Sequence, residues 1–353
     1  MRLERSLDGK RVVRFKSGLQ IKLGNLYGAG LLLAAALVIT AISVSVGTTQ
    51  AGLADVLRSM FASALPEDAS FAVWQVRLPR MAVGFMAGWL VAVSGVFLQS
   101  LARNPLADPG LFGLSQGSVT MILVLMVFMP QVPPAALPLA ALAGGLMVAF
   151  ALLWLVGSGN SSGLAILLMG IAMETILSAV TSILILYTPD EVSFALAAWM
   201  AGSLLLADWQ GAATLAPWFL LSLPVCLLLG RALSAYDLGD ETAMALGENV
   251  TRTRPLILLA AVLLSAAAVS AVGPLIFLGI MAPHIANAIS PSTGRAKLLL
   301  SGLMGGLLVL AADAMTRGAA GGLTFPIGLS LTLIGVPLFV IALRLRTLRA
   351  YSE

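Results

Sequence analysis

The 353-residue chain is 59% hydrophobic and only 10% charged, and its formal net charge is +4. A soluble domain carries about 25% charged residues, and folding removes only about three quarters of its surface from water. A chain of this composition therefore cannot be an ordinary soluble protein, and lipid must be the solvent for much of its surface. The single histidine, His284, and the single cysteine, Cys226, exclude an internal disulfide and argue against a protein-only zinc or haem cage.

The apolar segments are long and continuous, which predicts helices. Unpaired backbone groups cannot face hydrocarbon, so a spanning chain forms helices or a closed barrel, and barrel strands alternate over about ten residues. A helix needs about 20 apolar residues to cross the membrane. We therefore predict an all-α, polytopic bundle of about ten transmembrane helices. The candidate spans are 27–46, 81–101, 113–131, 135–156, 164–187, 211–230, 255–273, 275–289, 298–315 and 326–343.

The basic residues indicate the orientation of the bundle. With ten spans, most of the 20 lysines and arginines fall on one side, and the positive-inside rule makes that side cytoplasmic. Both termini are then cytoplasmic. The predicted domains are a basic N-terminal tail (1–26), a transmembrane permease domain (27–343) and a C-terminal tail (344–353). The basic residues expected on the outer side are Arg58, Arg77, Arg80 and Arg317.

Two short segments half a chain apart are similar. Residues 92–96 of the second span match residues 268–272 of the seventh in small and β-branched side chains. Two five-helix halves arranged as an inverted repeat would explain the match, and this is a common plan in transporters. Chance explains it equally well, because small residues recur often in spans.

Arg77-Leu78-Pro79-Arg80 stands at the predicted outer start of the second span. Arginines one helical turn apart would project a cationic patch outwards that suits carboxylates. The alternative is that both side chains only reach up to the interface from a helix end.

Two proline-containing segments interrupt the apolar pattern. After the second span, Asn104, Pro105, Asp108 and Pro109 stop one helix and start another. Between 255 and 289, Gly273 and Pro274 predict a tight turn or a broken helix.

These motifs, in this order, resemble the iron-siderophore, haem and cobalamin permease family of ABC importers. The resemblance extends from residue 71 to residue 343. The motifs that carry it are Arg77-Leu78-Pro79-Arg80; Ser94-Gly95 and Gln99; 103–110; 199–204; 273–279 with Pro283-His284; Ala312-Asp313 with Arg317; 325–328; and 334–337.

The resemblance implies a type II importer permease in the inner (plasma) membrane that carries a ferric siderophore, with haem or cobalamin as the alternative cargo. It implies a second permease subunit, identical or paralogous, two ATPase subunits, and a periplasmic or lipoprotein substrate-binding protein. It also implies that Arg77, Arg80 and Arg317 receive acidic residues of the binding protein. No Gly-x-x-x-x-Gly-Lys pattern occurs, so ATP and Mg²⁺ are expected on the partner, with no cofactor, metal or nucleic acid bound by this chain and no enzymatic activity of its own.

The longest predicted cytoplasmic connection, 231–254, contains a short segment of small and acidic residues between glycines. In the resembled family the equivalent segment is the coupling helix, which docks on the ATPase and transmits its motion to the spans. The alternative is an ordinary solvated loop. The expected contact residues are Asp240, Glu241, Ala245, Leu246 and Gly247.

Span five carries Glu174, an acid that is costly in the membrane unless it faces water or a partner. It could line the substrate path, carry protons, or be a structural carboxylate bonded to a serine or threonine. If two subunits form a central pore, its walls are expected to include span five and one face of span two. The expected pathway residues are Gly84, Gly88, Ser94, Gln99 and Glu174.

For His284, packing or capping at a proline-broken helix after Pro283 is favoured over a haem ligand or proton relay. The family pattern departs at Asn287 and at 291–295, which puts the loop contacts there in doubt. Two other classes of function remain. A proton- or sodium-coupled secondary transporter is favoured by Glu174 and the repeat. An intramembrane enzyme lacks any nucleophile–base pair on facing helices.

Overall fold

The computed structural model describes residues 2–6, 9, 11–14, 20–46, 67–129, 131–133, 136–156, 163–188, 199–318 and 326–350. Within these residues, a bundle of helices follows a small N-terminal sheet. The strands are β1 (Arg2–Arg5), β2 (Arg11–Arg14) and β3 (Gln20–Lys22). The helices are α1 (Leu23–Ser45), α2 (Glu67–Ala102), α3 (Leu114–Phe128), α4 (Leu137–Val156), α5 (Gly163–Ile185), α6 (Trp209–Tyr236), α7 (Asp240–Ala245), α8 (Val250–Val272), α9 (Leu278–Ile289), α10 (Gly294–Gly318) and α11 (Ile327–Ala350).

The prediction of an all-α membrane bundle of about ten spans is confirmed. Among the described residues, eight helices are long and apolar enough to cross a membrane, and α3 and α9 are shorter apolar helices. Each of these ten helices overlaps one predicted span. Two boundaries differ clearly: α2 begins at Glu67 instead of 81, and α11 continues to Ala350, through most of the predicted C-terminal tail. The repeat of two halves stays a prediction.

Helix α2 is the most buried long helix and forms the centre of the bundle. It packs against α6, α8, α9 and α10. Glycines allow the closest of these approaches, because a Cβ at Gly88 would overlap the carbonyl of Gly305, and one at Gly95 would overlap Gly279. Small residues of this kind let helix backbones approach in a membrane, where van der Waals contact is the main attraction between helices.

The N-terminal segment predicted as a tail contains a three-stranded antiparallel sheet in the order β1-β2-β3. The β-branched pair Val12 and Val13 favours a strand, and Val12 is almost fully buried. Strand β3 ends at Lys22 and α1 begins at the next residue, so the first membrane helix starts before the predicted boundary at 27.

The break predicted at Gly273-Pro274 is present: α8 ends at Val272 and α9 begins at Leu278, with Gly273 at a φ of +74°. The further expectation that Pro283 breaks a helix is wrong, because α9 runs continuously through it. A proline has no N–H to donate to the carbonyl four residues earlier, here that of Gly279. That carbonyl instead accepts a hydrogen bond of 3.0 Å from Gln99 Nε2 on α2. The helix therefore continues without an unpaired carbonyl.

Candidate transport and docking sites

Two arginines pair with one buried carboxylate where α1 ends, and a third arginine binds the end of α1 itself. Asp313 Oδ1 accepts a hydrogen bond from Arg80 Nε at 2.6 Å, and its Oδ2 accepts one from Arg317 Nε at 2.9 Å. Arg317 also donates at 2.8 Å to the carbonyls of Ser43 and Val46, and Arg77 donates to the carbonyl of Val44. We name Arg77, Arg80, Asp313 and Arg317 the arginine cluster. It ties the end of α1 to α2 and α10.

The prediction that Arg77 and Arg80 project outwards is contradicted by the structure. Arg77 and Arg80 are only 4% and 8% exposed, and Asp313 is fully buried. The reason is that α2 begins at Glu67, so Arg77 and Arg80 lie well inside a helix and not at its end. Buried guanidinium groups need acceptors, and here Asp313 and the carbonyls ending α1 supply them.

Asp313 is the residue of this cluster to which sequence reasoning gave no role. The signal was present in Asp313 and Arg317, an acid and a base four residues apart in an apolar segment, because such pairs lie on the same face of a helix. Intramembrane charges pair with one another, so Asp313 pointed to partners among the nearby arginines.

The predicted pathway residues of α2 lie inside the bundle, not along an open path in this chain. A Cβ at Gly84 would lie 2.9 Å from the Leu204 side chain, and Gly88 faces Gly305. Ser94 Oγ donates to the carbonyl of Ala261 at 2.6 Å, and Gln99 donates to the Gly279 carbonyl of α9. These residues therefore make contacts between helices of one subunit, which is a correction to the predicted pore wall.

Glu174 differs from the α2 residues, because its helix is largely exposed. Helix α5 has the lowest buried fraction of the long helices, and Glu174 itself is partly exposed. Within the described chain its carboxylate has no hydrogen bond or ion pair. A Cβ at Gly113 would lie 2.9 Å from the backbone nitrogen of Glu174, so the connection after α2 packs against α5 at this residue.

The interruption after α2 folds as a compact loop. Asn104 Oδ1 accepts from the Leu106 N–H at 2.9 Å, within a turn that contains Pro105, and Pro109 opens a 3-10 turn (Pro109–Phe112). Asp108 caps this turn, since its Oδ1 accepts from the Gly110 N–H at 2.8 Å.

The other carboxylate oxygen of Asp108 is buried without a hydrogen-bond partner among the described residues. It lies beside Gly279 at the start of α9, where a Cβ would come within 2.7 Å of it. Burial disfavours the charged form and outweighs the capping hydrogen bonds, which raises the pKa of Asp108 to about 6. The sequence predicted a structural role for Asp108 but did not predict that its pKa is raised.

The predicted coupling loop is shorter than 231–254, because α6 runs to Tyr236 and α8 begins at Val250. We name residues 237–249 the coupling segment. Asp240 is the first residue of helix α7 and forms ion pairs within this chain. Its Oδ2 pairs with Arg254 at 2.8 Å and with Arg103 at 3.7 Å. The segment is therefore tied to the beginning of α8 and to the end of α2.

The outer side of the coupling segment is exposed and apolar. Leu238, Met244 and Leu246 are 62%, 55% and 65% exposed. The predicted contact residues Glu241, Ala245 and Gly247 are exposed as well, whereas Asp240 is half-buried. Sequence reasoning missed Leu238 and Met244, although both are large apolar residues in a segment with charged neighbours.

The arginine cluster and the coupling segment lie at opposite ends of α2. Arg80 joins the cluster, and Ser100 donates to Asp237 of the coupling segment at 2.9 Å. Twenty helical residues separate them, which is about 30 Å at 1.5 Å per residue and equals the thickness of the hydrocarbon core. The two sites therefore fall on opposite sides of the membrane.

His284 is buried inside α9. Its Nδ1 lies 2.9 Å from the carbonyl of Ile280, and its ring meets that of Phe339 edge-on with centroids 5.0 Å apart. These contacts are those of a packed residue, as the sequence favoured.

The sequence and the fold of this chain have counterparts in known proteins. A model of the FecCD transport family matches residues 33–345. The Fe(3+)-citrate import system permease protein YfmE of Bacillus subtilis is 33% identical over 308 residues, which are 87% of this chain and 92% of that protein. The cobalamin import system permease protein BtuC of Halobacterium salinarum is 35% identical over 287 residues, 81% of this chain and 77% of that protein. A solved metal-chelate type ABC transporter in an inward-facing conformation shares the fold, with a TM-score of 0.77, 24% identity and coverage of 91% of this chain and 99% of that chain. The chain therefore belongs to the FecCD transport family.

Proposed function

We propose that this chain is the membrane-spanning subunit of an ATP-driven importer that carries a ferric chelate of the citrate or siderophore type across the inner (plasma) membrane. The exposed apolar coupling segment carries the proposal, because three large apolar side chains on and beside the short helix α7 are costly in water unless a partner covers them. The Fe(3+)-citrate permease among the relatives supports iron as the cargo. Cobalamin is the second candidate, since a cobalamin permease matches at similar identity.

The proposed partner at the coupling segment is an ATPase subunit in the cytoplasm. Asp240 holds α7 to Arg254 of α8 and to Arg103 at the end of α2, so a push on the segment reaches two long helices. Two ATPase subunits would act on two permease subunits.

The arginine cluster is proposed to serve the other side, where a substrate-binding protein delivers its cargo. Arg80 and Arg317 share the single carboxylate of Asp313, which leaves one positive charge in excess among these three groups. Such a surplus attracts acidic side chains of a partner and speeds their encounter. The cluster would act through its field and by fixing the end of α1, since Arg77 and Arg80 are buried.

The proposed translocation pathway lies along α5, between two permease subunits. The exposed side of α5 carries large apolar residues such as Ile176. Among them lie small or polar residues at helical spacing, Ala172, Thr175, Ala179 and Ser182, with Glu174 at the edge. In lipid alone such residues would gain nothing, whereas a water-filled path or a second subunit satisfies them.

The test is reconstitution with the ATPase and binding protein. We expect Leu246→Glu to reduce both co-purification of the ATPase and uptake of the ferric chelate, because the substitution places a charge in an apolar contact. Leu206→Glu is the matched control, since Leu206 is 95% exposed but precedes α6, at the opposite end from the coupling segment. Normal ATPase binding and uptake by Leu246→Glu would contradict the proposal. Uptake by the chain alone under a proton gradient would favour a secondary transporter instead.

A further inference from the structure

The N-terminal sheet has one apolar face that the described chain covers only in part. In the antiparallel register, Leu3 lies opposite Val13, and Val13 lies opposite Ile21, so the three side chains share a face. Leu3 is 70% exposed. Val12 points to the other face, where it is 3% exposed, and β2 and β3 contact α1. Val12's side is therefore the buried side of the sheet. We name the Leu3–Val13–Ile21 side the open face, on which Leu3 is exposed and Val13 and Ile21 are half-buried.

Two arginines flank this open face and repel each other. Arg5 and Arg11 are directly opposite in the register and both are exposed. Like charges in that position destabilise a sheet. Within the described residues neither has a carboxylate at ion-pair distance, whereas Arg14 on the other face pairs with Glu4 at 3.4 Å. An external anion would relieve the repulsion on the open face.

The sheet also cannot leave the membrane surface. Strand β3 ends at Lys22 and the membrane helix α1 starts at Leu23, so no linker separates them. The first 22 residues contain only the acids Glu4 and Asp8. The basic residues of the same stretch are Arg2, Arg5, Lys10, Arg11, Arg14, Lys16 and Lys22. Basic clusters of this size next to a membrane helix are attracted to anionic lipid head groups.

We infer that the open face of the sheet binds the anionic phospholipid surface beside α1. Leu3, Val13 and Ile21 would enter the boundary between head groups and acyl chains, as the apolar side of an interfacial element does. Arg5 and Arg11 would each donate paired hydrogen bonds to lipid phosphates, which matches the planar geometry of guanidinium. The sheet precedes the segment that matches the transport family, residues 33–345. The inference is independent of the proposed cargo.

The experiment uses the full chain in lipid nanodiscs. Leu3→Cys carries a polarity-sensitive fluorophore in a Cys226→Ser background, and the discs contain phosphatidylcholine alone or mixed with phosphatidylglycerol. We expect a blue-shifted emission and quenching by spin-labelled acyl chains in the anionic discs only, weakened by added salt. Gln20→Cys is the matched control, because Gln20 is exposed on the other face, opposite Arg14, and should report no lipid contact.

Replacing both arginines, Arg5→Gln with Arg11→Gln, should lower the ratio of lipid-bound to unbound sheet in the anionic discs by about fivefold per charge. Arg5→Lys with Arg11→Lys keeps the charge and should retain most of it, which separates lost attraction from a lost sheet. Equal emission from Leu3→Cys in both lipids would overturn the inference. So would protection of Leu3→Cys that appears only after an ATPase subunit is added, because the face would then be a protein-docking surface.

Discussion

Replacing Asp313 by asparagine should destabilise the protein strongly, because Asp313 is the shared acceptor of two buried guanidinium groups. Its oxygens are 2.6 Å from Arg80 Nε and 2.9 Å from Arg317 Nε, and the carboxylate is fully buried. In Asp313→Asn the side-chain amide would keep one acceptor oxygen but lose the charge and the second acceptor. Removing one partner of a buried ion pair costs about 3–5 kcal/mol, since the remaining charges stay desolvated and uncompensated.

The assay is thermal unfolding of the purified chain in one detergent, followed by near-ultraviolet circular dichroism. A loss of about 3–5 kcal/mol corresponds to a fall in Tm of about 5–10 °C for a chain of this size. Glu67→Gln is the control, because Glu67 is exposed at the first turn of α2 and its charge there contributes at most about 1 kcal/mol. Adding Arg317→Gln to Asp313→Asn should restore part of the loss, since it removes one uncompensated charge. A Tm for Asp313→Asn within about a degree of the parent protein would refute the assigned role.

Three further predictions concern single side chains. Because the pKa of Asp108 is raised to about 6 from its usual value near 4, folding favours the protonated form, so stability should be greatest below pH 4 and fall as the pH rises to 6, by at most about 3 kcal/mol. Asp108→Asn should remove this pH dependence, and denaturant melts across that range that show the same slope in both proteins would contradict it. Gly88→Ala should lower stability by about 1–3 kcal/mol, because its Cβ would overlap the Gly305 carbonyl, while Gly24→Ala, which meets open space, should not; equal Tm values for the two would oppose the packing argument. Glu174→Gln should slow chelate uptake in proteoliposomes and leave ATPase co-purification intact, and an unchanged uptake rate would remove Glu174 from the proposed pathway.

The ten apolar helices, eight of them long enough to span among the described residues, could be predicted because hydrocarbon thickness and backbone hydrogen bonding set the length and type of the segments. The family resemblance and the transport function are confirmed. They could be predicted because several motifs that combine prolines, charges and small residues follow one another in a fixed order along the chain. The start of α2 was misplaced, because Glu67 and Asp68 look like a loop and only packing of Val73 and neighbouring residues shows a helix there.

Other errors arose where the outcome depends on residues distant in sequence. The direction of Arg80 is decided by Asp313, and the course of α9 through Pro283 is decided by Gln99. Whether the glycine face of α2 lines an aqueous path also depends on distant residues. Gly88 lies against Gly305 of α10 and not against water. The N-terminal sheet has strands of three and four residues, too short for a clear alternating pattern.

The hydrogen bond from Gln99 to the Gly279 carbonyl has a consequence for how the polypeptide is assembled. Helix α9 is synthesised late, and its Gly279 carbonyl accepts its hydrogen bond from Gln99 of α2, which is synthesised early. The carboxy-terminal part, produced as a separate fragment, would lack the donor for that carbonyl, and a buried acceptor left unpaired costs about 1–3 kcal/mol. Co-expressed fragments should therefore accumulate only as a complementing pair, and neither would persist alone.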